Sequence, residues 1–196
     1  MFIEWVFKNW LEIFGALLGF ISIYFQIKQH SWYWPISIVM VSMYAVVYYQ
    51  SKFYADMSLQ LYFFAVGIYG WYYWLSGKTK NKKATKQTVP VIKLNSNNWI
   101  KAIVATIFFY IIIAFVLIRF TDSDIAYGDA FTTAFSFTAT FLLARKFIEN
   151  WIFWIIADVV SVGLYIYKGL YPTAILFVVL SILAVYGYYA WKKELK

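Results

Sequence analysis

The feature that most limits how this chain can fold is a series of seven apolar stretches. They are Trp10–Ile27, Trp32–Gln50, Tyr54–Leu75, Trp99–Ile118, Tyr127–Leu143, Trp151–Tyr167 and Tyr171–Trp191. A bilayer core of about 30 Å needs roughly 20 helical residues to cross. Most of the stretches open with an aromatic residue, which suits the headgroup region. We therefore predict an all-α membrane protein with seven transmembrane helices.

The composition supports a bilayer as the solvent. Of the 196 residues, 63% are hydrophobic and only 13% are charged, whereas a soluble domain is roughly half apolar and about a quarter charged. The net charge is +8, and the basic residues cluster between and after the apolar stretches. This pattern is typical of basic membrane loops rather than of a nucleic-acid interface. The chain has no cysteine and one histidine, His30, too few ligands for a zinc or haem enzyme. We expect no metal, cofactor or nucleic-acid partner.

The stretch Ser76–Asn98 differs from the rest because it carries six lysines and several Asn and Thr residues. It predicts a solvated, flexible linker without a binding function. Thirteen of the 17 Lys and Arg residues fall on the face of the bundle that includes this linker. Since basic residues favour the cytoplasmic side, we predict a cytoplasmic linker and C-terminus, and an N-terminus outside.

An internal repeat relates the first three helices to the last three. Matches at an offset of 117 include Phe14 with Phe131, Tyr69-Gly70 with Tyr186-Gly187, and Trp74 with Trp191; Trp34 is matched to Trp154 at an offset of 120. The fourth helix must then cross the membrane once more to restore the direction of the chain. The domains are therefore a three-helix repeat (1–75), a basic linker (76–98), a connecting helix (99–118), and a second three-helix repeat with a short cytoplasmic tail (119–196). This 3+1+3 parallel repeat favours a transporter that holds its substrate between the repeats.

The sixth predicted helix carries the clearest candidate site. Trp151, Trp154 and Asp158 are spaced by three and four residues, which puts them on one helical face. A carboxylate near mid-membrane needs a cationic partner, and tryptophan faces attract cations. The three side chains could therefore hold a flat, positively charged ring. In the alternative interpretation, Asp158 is neutral or bonded to a neighbouring helix, and the tryptophans form an interfacial belt.

Two further candidates come from the first repeat. Gln60 lies in the third predicted helix and could bind an amide or a ribose hydroxyl, or could equally join two helices. Trp34, which the repeat matches to Trp154, is also a candidate binding residue.

Several motifs in the chain resemble the PnuC family of bacterial vitamin transporters. They are Trp32-Tyr-Trp34-Pro35, Tyr54-Ala-Asp56, Tyr69-Gly70-Trp71-Tyr72-Tyr73-Trp74, and Trp151-Ile-Phe-Trp154 followed by Asp158. The resemblance covers nearly the whole chain outside the linker. It implies a seven-helix fold similar to that of SWEET sugar transporters, with substrate held at mid-membrane partly by the WxxW motif that Trp151 and Trp154 match. The residue four positions after this motif is typically Asn in nicotinamide riboside carriers, and this chain has Asp158 there.

The resemblance implies facilitated uptake of a vitamin across the bacterial inner membrane, without an enzymatic activity. Nicotinamide riboside is the expected substrate and thiamine the alternative, because a carboxylate suits both cations. A cytoplasmic kinase is expected to phosphorylate the vitamin and so trap it. We also expect a homo-oligomer.

Other classes of membrane protein fit the residues less well. A retinal protein needs a lysine inside its last helix, and Tyr171–Trp191 has none. A hydrolase needs a buried nucleophile and base, and His30 falls in a predicted loop. An inert scaffold remains a more remote alternative, which Asp158 does not favour.

Overall fold

A computed structural model describes residues 10–50, 54–76 and 89–195, without the side chains of 10–13, 15, 16 and 54–56, and these residues form seven helices. The helices are α1 (Trp10–Ile27), α2 (Tyr33–Gln50), α3 (Tyr54–Ser76), α4 (Ser96–Phe120), α5 (Ala126–Ala144), α6 (Asn150–Tyr167) and α7 (Tyr171–Lys192). The seven-helix prediction is confirmed, and each bound lies within three residues of the predicted one. Residues 1–9 of the predicted first repeat, most of the predicted linker (77–88) and Lys196 lie outside the described residues.

Three of the described helices, α4, α6 and α7, are long and apolar enough to cross a membrane by length and hydropathy alone. In α1 a shorter apolar segment, Leu17–Ile27, stands out. Helices α2 and α3 are rich in Tyr and Trp, amphipathic side chains that lower a hydropathy average although they suit a membrane interface.

The chain divides into two compact units, 1–89 and 90–196. In the first unit α1 packs on α2 and α2 on α3. In the second unit α4 packs on α5, α5 on α6, and α6 on α7. The connecting helix α4 therefore belongs to the same unit as the second three-helix repeat, and the boundary between the units lies within the predicted linker.

The turn that joins the first two helices of each repeat has the same backbone in both units. Gln29 and Lys146, 117 positions apart, both have positive φ, 54° and 58°. The N–H of the next residue, His30 or Phe147, donates to the carbonyl oxygen five residues back, at 2.9 Å in each unit. This pattern is a Schellman motif, which ends a helix with one left-handed residue. Because the two turns match at an offset of 117, the backbone confirms the internal repeat.

The offset is also constant at the central tryptophans, so the match of Trp34 to Trp154 was wrong. Trp34 packs edge-to-face on Trp74, with ring centroids 5.5 Å apart, and Trp151 packs on Trp191 in the same way at 5.6 Å. Trp34 also lies against Gly70, and Trp151 lies against Gly187; each glycine is in the third helix of its repeat. The structural counterpart of Trp34 is therefore Trp151. The shared sequence letter misled the alignment because two tryptophans lie within one helical turn of each other in α6.

The prediction of a solvated linker is wrong for its described end. Val91 and Leu94 are buried, at 6% and 8% exposure, and Ile92 forms a parallel β-bridge with Phe147 in the α5–α6 turn. Helix α4 also starts three residues earlier than predicted. The Asn95 side chain accepts a hydrogen bond from the Asn98 N–H at 2.8 Å and so caps the helix. The many lysines of the segment made the two buried apolar residues, Val91 and Leu94, difficult to predict from the sequence.

Lys146 is an unusual residue for this turn because its side chain is 1% exposed. Burial lowers the pKa of Lys146 from 10.5 to about 8, against an opposing effect of Glu194 near the end of the chain. Below pH 8 the folded protein carries a buried ammonium at a cost. Between pH 8 and 10.5 the folded state has lost this proton while the unfolded state keeps it, so stability rises with pH.

We expect the free energy of unfolding of the wild type to rise between pH 8 and pH 10 relative to that of Lys146→Met, by up to about 3 kcal/mol. Methionine has a similar length and no charge, so it removes the titration with little change in packing. The measurement is the thermal midpoint in detergent, followed by tryptophan fluorescence at several pH values. Parallel pH curves for the two proteins would contradict this interpretation of Lys146.

Candidate functional site

Helix α6 carries three of the five predicted site residues, and its first turn is well anchored. The Asn150 side-chain amide donates to the Phe147 carbonyl at 2.7 Å. The Glu149 carbonyl accepts from the N–H groups of Ile152 and Phe153 at 3.0 and 3.3 Å. These bonds fix the start of the helix, and with it the directions of the side chains that follow.

The ring of Trp151 is enclosed by helix α7. It is 2% exposed, it meets Trp191 edge-to-face at an interplanar angle of 89°, and its edge lies where a side chain at Gly187 would otherwise be. Its Nε1 has no hydrogen-bond partner among the described residues. In this structure Trp151 therefore joins α6 to α7.

Trp154 faces a different neighbour from Trp151. It is partly buried and packs against a core cluster that we call the α4–α6 cluster; its buried members are Leu94, Ala102, Ala139, Leu142, Phe147 and Phe153. Trp99 stacks on Phe153, with ring centroids 6.1 Å apart. The Nε1 of Trp154 is also buried without a partner among the described residues. An unpaired buried N–H is costly, and a ligand oxygen could satisfy it.

Asp158 lies one turn beyond Trp154, and about 10 Å along the helix axis from Trp151. Its side chain is 6% exposed, and the described part of the chain records no hydrogen bond or ion pair for it. Helices α5 and α6 contain no Lys or Arg, and those of α4 and α7 lie near helix ends, at Lys101, Arg119 and Lys192. A buried carboxylate in these surroundings favours a cationic ligand.

The other two predicted site residues lie in the first unit and are separated from each other. Trp34 is 1% exposed and packs on Trp74 near the end of α3, where its ring lies against Gly70. Gln60 is partly exposed and precedes Gly70 by ten residues, about 15 Å along the same helix. Trp151, Trp154 and Asp158 therefore share one helix, but Trp151 and Trp154 pack against different neighbours. The structure does not bring Trp34 to Gln60.

Sequence reasoning missed the contacts that hold the helices of the second unit together. Thr106 of α4 and Thr138 of α5 share a buried hydrogen bond of 2.7 Å, although threonines in such helices often bond only to their own backbone. The pairing of Gly187 with Trp151 was visible in the sequence as a repeat of the pairing of Gly70 with Trp34 at a constant offset of 117. The match of Trp34 to Trp154, at an offset of 120, does not contain this signal.

Residues 9–193 match the family described as nicotinamide mononucleotide transporter. Among curated relatives, the nicotinamide riboside transporter PnuC of Escherichia coli (strain K12) is 25% identical, over 93% of this chain and 85% of its own length. The transporter of the same name from Neisseria mucosa is 24% identical, over 96% and 74%. The riboflavin/roseoflavin transporter RibM of Streptomyces davaonensis is 22% identical, over 93% and 84%.

A solved structure has the same fold. The crystal structure of the vitamin B3 transporter PnuC matches 97% of this chain and 85% of its own, with a TM-score of 0.74 at 24% sequence identity. The likeness supports the seven-helix architecture over nearly the full length of the chain.

Proposed function

Because the chain belongs to the nicotinamide mononucleotide transporter family, we propose that it takes up nicotinamide riboside by facilitated diffusion. It is a multi-pass membrane transporter of the inner membrane and not an enzyme. The observation that carries the choice of substrate is the buried carboxylate of Asp158 on α6, with no cation beside it among the described residues.

The charge around Asp158 favours the riboside over the mononucleotide that gives the family its description. Nicotinamide riboside carries a pyridinium and no phosphate, whereas the mononucleotide adds a phosphate group. Phosphate recognition needs Arg, Lys or a helix N-terminus, and the described residues of α5 and α6 contain no Lys or Arg. A phosphate beside Asp158 would meet a like charge. A cationic, phosphate-free ligand fits this helix.

Within the second unit we propose different roles for the three residues of α6. Asp158 pairs with the cationic ring, and Trp154 offers its face and its unpaired Nε1. Trp151, which is enclosed by Trp191 and Gly187, positions the helix without being a main contact. Gln60 remains a separate prediction, to be tested by its own alanine variant. Trp34, whose packing against Trp74 and Gly70 repeats that of Trp151, likewise remains a separate prediction, to be tested by its own variant.

Thiamine is the second candidate substrate, because its thiazolium would pair with Asp158 in the same way. One relative is named for riboflavin and roseoflavin, but riboflavin is neutral and would leave Asp158 buried without a counter-charge, which is costly. A membrane scaffold without transport remains the more distant alternative.

Three further points belong to the proposal. A cytoplasmic vitamin kinase traps the substrate by phosphorylation, which keeps the free vitamin concentration inside low, so that facilitated diffusion continues inward. The N-terminus lies outside and the C-terminus in the cytoplasm, in line with Arg145, Lys146, Lys192 and Lys193, which all lie at one end of the second unit. The chain forms a homo-oligomer, which the mass of the protein in a detergent micelle would test.

The experiment is calorimetric titration of the purified protein in detergent with nicotinamide riboside, nicotinamide mononucleotide, thiamine and riboflavin. We expect saturable binding of nicotinamide riboside and little binding of the mononucleotide or riboflavin. Binding of thiamine alone would change the substrate and keep the carboxylate site. A folded protein that binds none of the four would overturn the proposed function.

A further inference from the structure

The end of the linker is attached to the start of α6 by three hydrogen bonds. The Ile92 N–H donates to the Lys146 carbonyl at 3.1 Å, and the Ile148 N–H donates to the Ile92 carbonyl at 3.0 Å. The Leu94 N–H donates to Oε2 of Glu149 at 3.1 Å, in a buried contact. Leu94 and Glu149 are 55 positions apart in the chain, so the contact is a tertiary one. We call these three bonds the linker clamp.

Glu149 is placed where a capping residue would be, yet it serves a different partner. It immediately precedes α6, and its side chain makes no capping hydrogen bond to that helix. Its carboxylate is instead turned toward Leu94, and the residue is 6% exposed. Hydrogen bonds to a charged group are among the strong ones, and a buried carboxylate without such a bond would be costly.

The linker clamp includes a residue, Leu94, that lies in the surroundings of Trp154, the side chain that we assign to the vitamin. Leu94 belongs to the α4–α6 cluster, and Trp154 packs against this cluster. Glu149 is five residues before Trp154 in the same helix. The same segment therefore holds the start of α6 by a hydrogen bond and contacts the surroundings of Trp154 by packing. A shift of Leu94 would change both.

The first unit shows that the turn itself does not need this clamp. At the offset of 117 the counterpart of Glu149 is Trp32, which is 60% exposed. The first unit nevertheless forms the same Schellman turn, with Gln29 in place of Lys146. The turn therefore forms without a carboxylate at this position. The buried Glu149 is not needed for the turn itself, and its bond to the Leu94 N–H is an additional feature of the second unit.

We propose that Glu149, held by the Leu94 N–H, is a positioning residue that fixes the first turn of α6 and thereby places Trp154 for binding the vitamin. The proposal rests on the proposed function of the α6 site. The proposed role depends on the length of the Glu149 side chain, because that length brings its Oε2 within hydrogen-bond distance of the Leu94 nitrogen. It requires the negative charge less strictly, since an amide oxygen also accepts from an N–H.

Two conservative variants separate reach from charge. Glu149→Gln keeps the length and an acceptor oxygen, whereas Glu149→Asp keeps the charge and shortens the side chain by one methylene. We expect Glu149→Asp to weaken nicotinamide riboside binding by about tenfold, the scale of one buried hydrogen bond to a charged group. We expect Glu149→Gln to bind nearly as well as the wild type. The exposed residue Asp124, which pairs with Lys168 at 3.0 Å, provides the control variant Asp124→Asn, with unchanged binding.

The measurements are the dissociation constant for nicotinamide riboside and hydrogen exchange at the Leu94 amide, in the purified full chain. The proposal predicts slow exchange in the wild type and Glu149→Gln, and fast exchange together with weaker binding in Glu149→Asp. Fast exchange with wild-type affinity in Glu149→Asp would overturn the positioning role and leave the proposed function standing. A wild-type protein without vitamin binding would overturn the proposed function and the positioning role together, while slow Leu94 exchange would still report the clamp.

Discussion

Replacement of Asp158 by alanine is expected to weaken binding of nicotinamide riboside by about thirtyfold or more, because removing one partner of a buried charge pair costs on the order of 2–5 kcal/mol. The pyridinium would then be buried beside Trp154 without a counter-charge. The protein itself should stay folded, since the described residues record no hydrogen bond or ion pair that Asp158 supplies to the fold. Calorimetric titration and the thermal midpoint of the same sample measure both expectations.

The variant Asp158→Asn refines this expectation. Asparagine keeps the volume and a hydrogen-bond acceptor but removes the charge, so we expect a smaller loss for nicotinamide riboside than with alanine. Asp129 supplies the matched control: it lies in the first turn of α5 and accepts a hydrogen bond from the Ser123 hydroxyl at 3.0 Å. Asp129→Asn removes the same charge from the same unit and should leave binding unchanged. Undiminished binding by a folded Asp158→Ala protein would exclude the carboxylate from the site.

Substitution of Gly187 by alanine is expected to destabilise the second unit by about 1–3 kcal/mol, the usual cost of forcing an extra carbon into a packed core. A Cβ at Gly187 would lie 2.5 Å from Cη2 of Trp151 and within 2.7 Å of two further atoms of that ring. The ring is confined further because Trp191, one turn along α7 from Gly187, packs edge-to-face with it, with centroids 5.6 Å apart. The thermal midpoint in detergent should fall.

Gly163 of α6 is the control for this substitution. A Cβ there would meet nothing within 4 Å, so Gly163→Ala should be neutral or should stabilise the helix by up to about 1 kcal/mol. A smaller ring should rescue the destabilised protein, so Trp151→Phe should cost less in the Gly187→Ala background than in the wild type. Equal thermal midpoints for Gly187→Ala and Gly163→Ala would show that the Trp151 ring is not confined as described.

The helices were predictable because their signals are local. Seven apolar stretches with aromatic starts locate the seven described helices, and capping accounts for an end that differs from the predicted one. At α4, for example, Asn95 starts the helix ahead of the apolar run that begins at Trp99. The number of helices, the internal repeat and the family resemblance can all be read from the order of residues along the sequence.

The linker and the roles of the tryptophans were not predictable in the same way. Val91 and Leu94 are two apolar residues in a lysine-rich segment, and the partners of this segment lie far along the chain, at the α5–α6 turn and in the α4–α6 cluster. Trp151 and Trp154 look alike in the sequence, yet one faces α7 and the other the α4–α6 cluster. Which neighbour a helical face meets depends on tertiary packing, which periodicity does not specify.

The duplicated turn also tells an engineer which parts of this chain are interchangeable. Residues 28–34 and 145–151 follow the same backbone path through a left-handed residue, although their only identical residue is the closing tryptophan. In backbone conformation, either segment could replace the other. As a set of contacts, they are not equivalent: one presents an exposed indole at Trp32, the other a buried carboxylate at Glu149. A chimaera that exchanged them would preserve the loop and lose the bond between the Glu149 side chain and the linker.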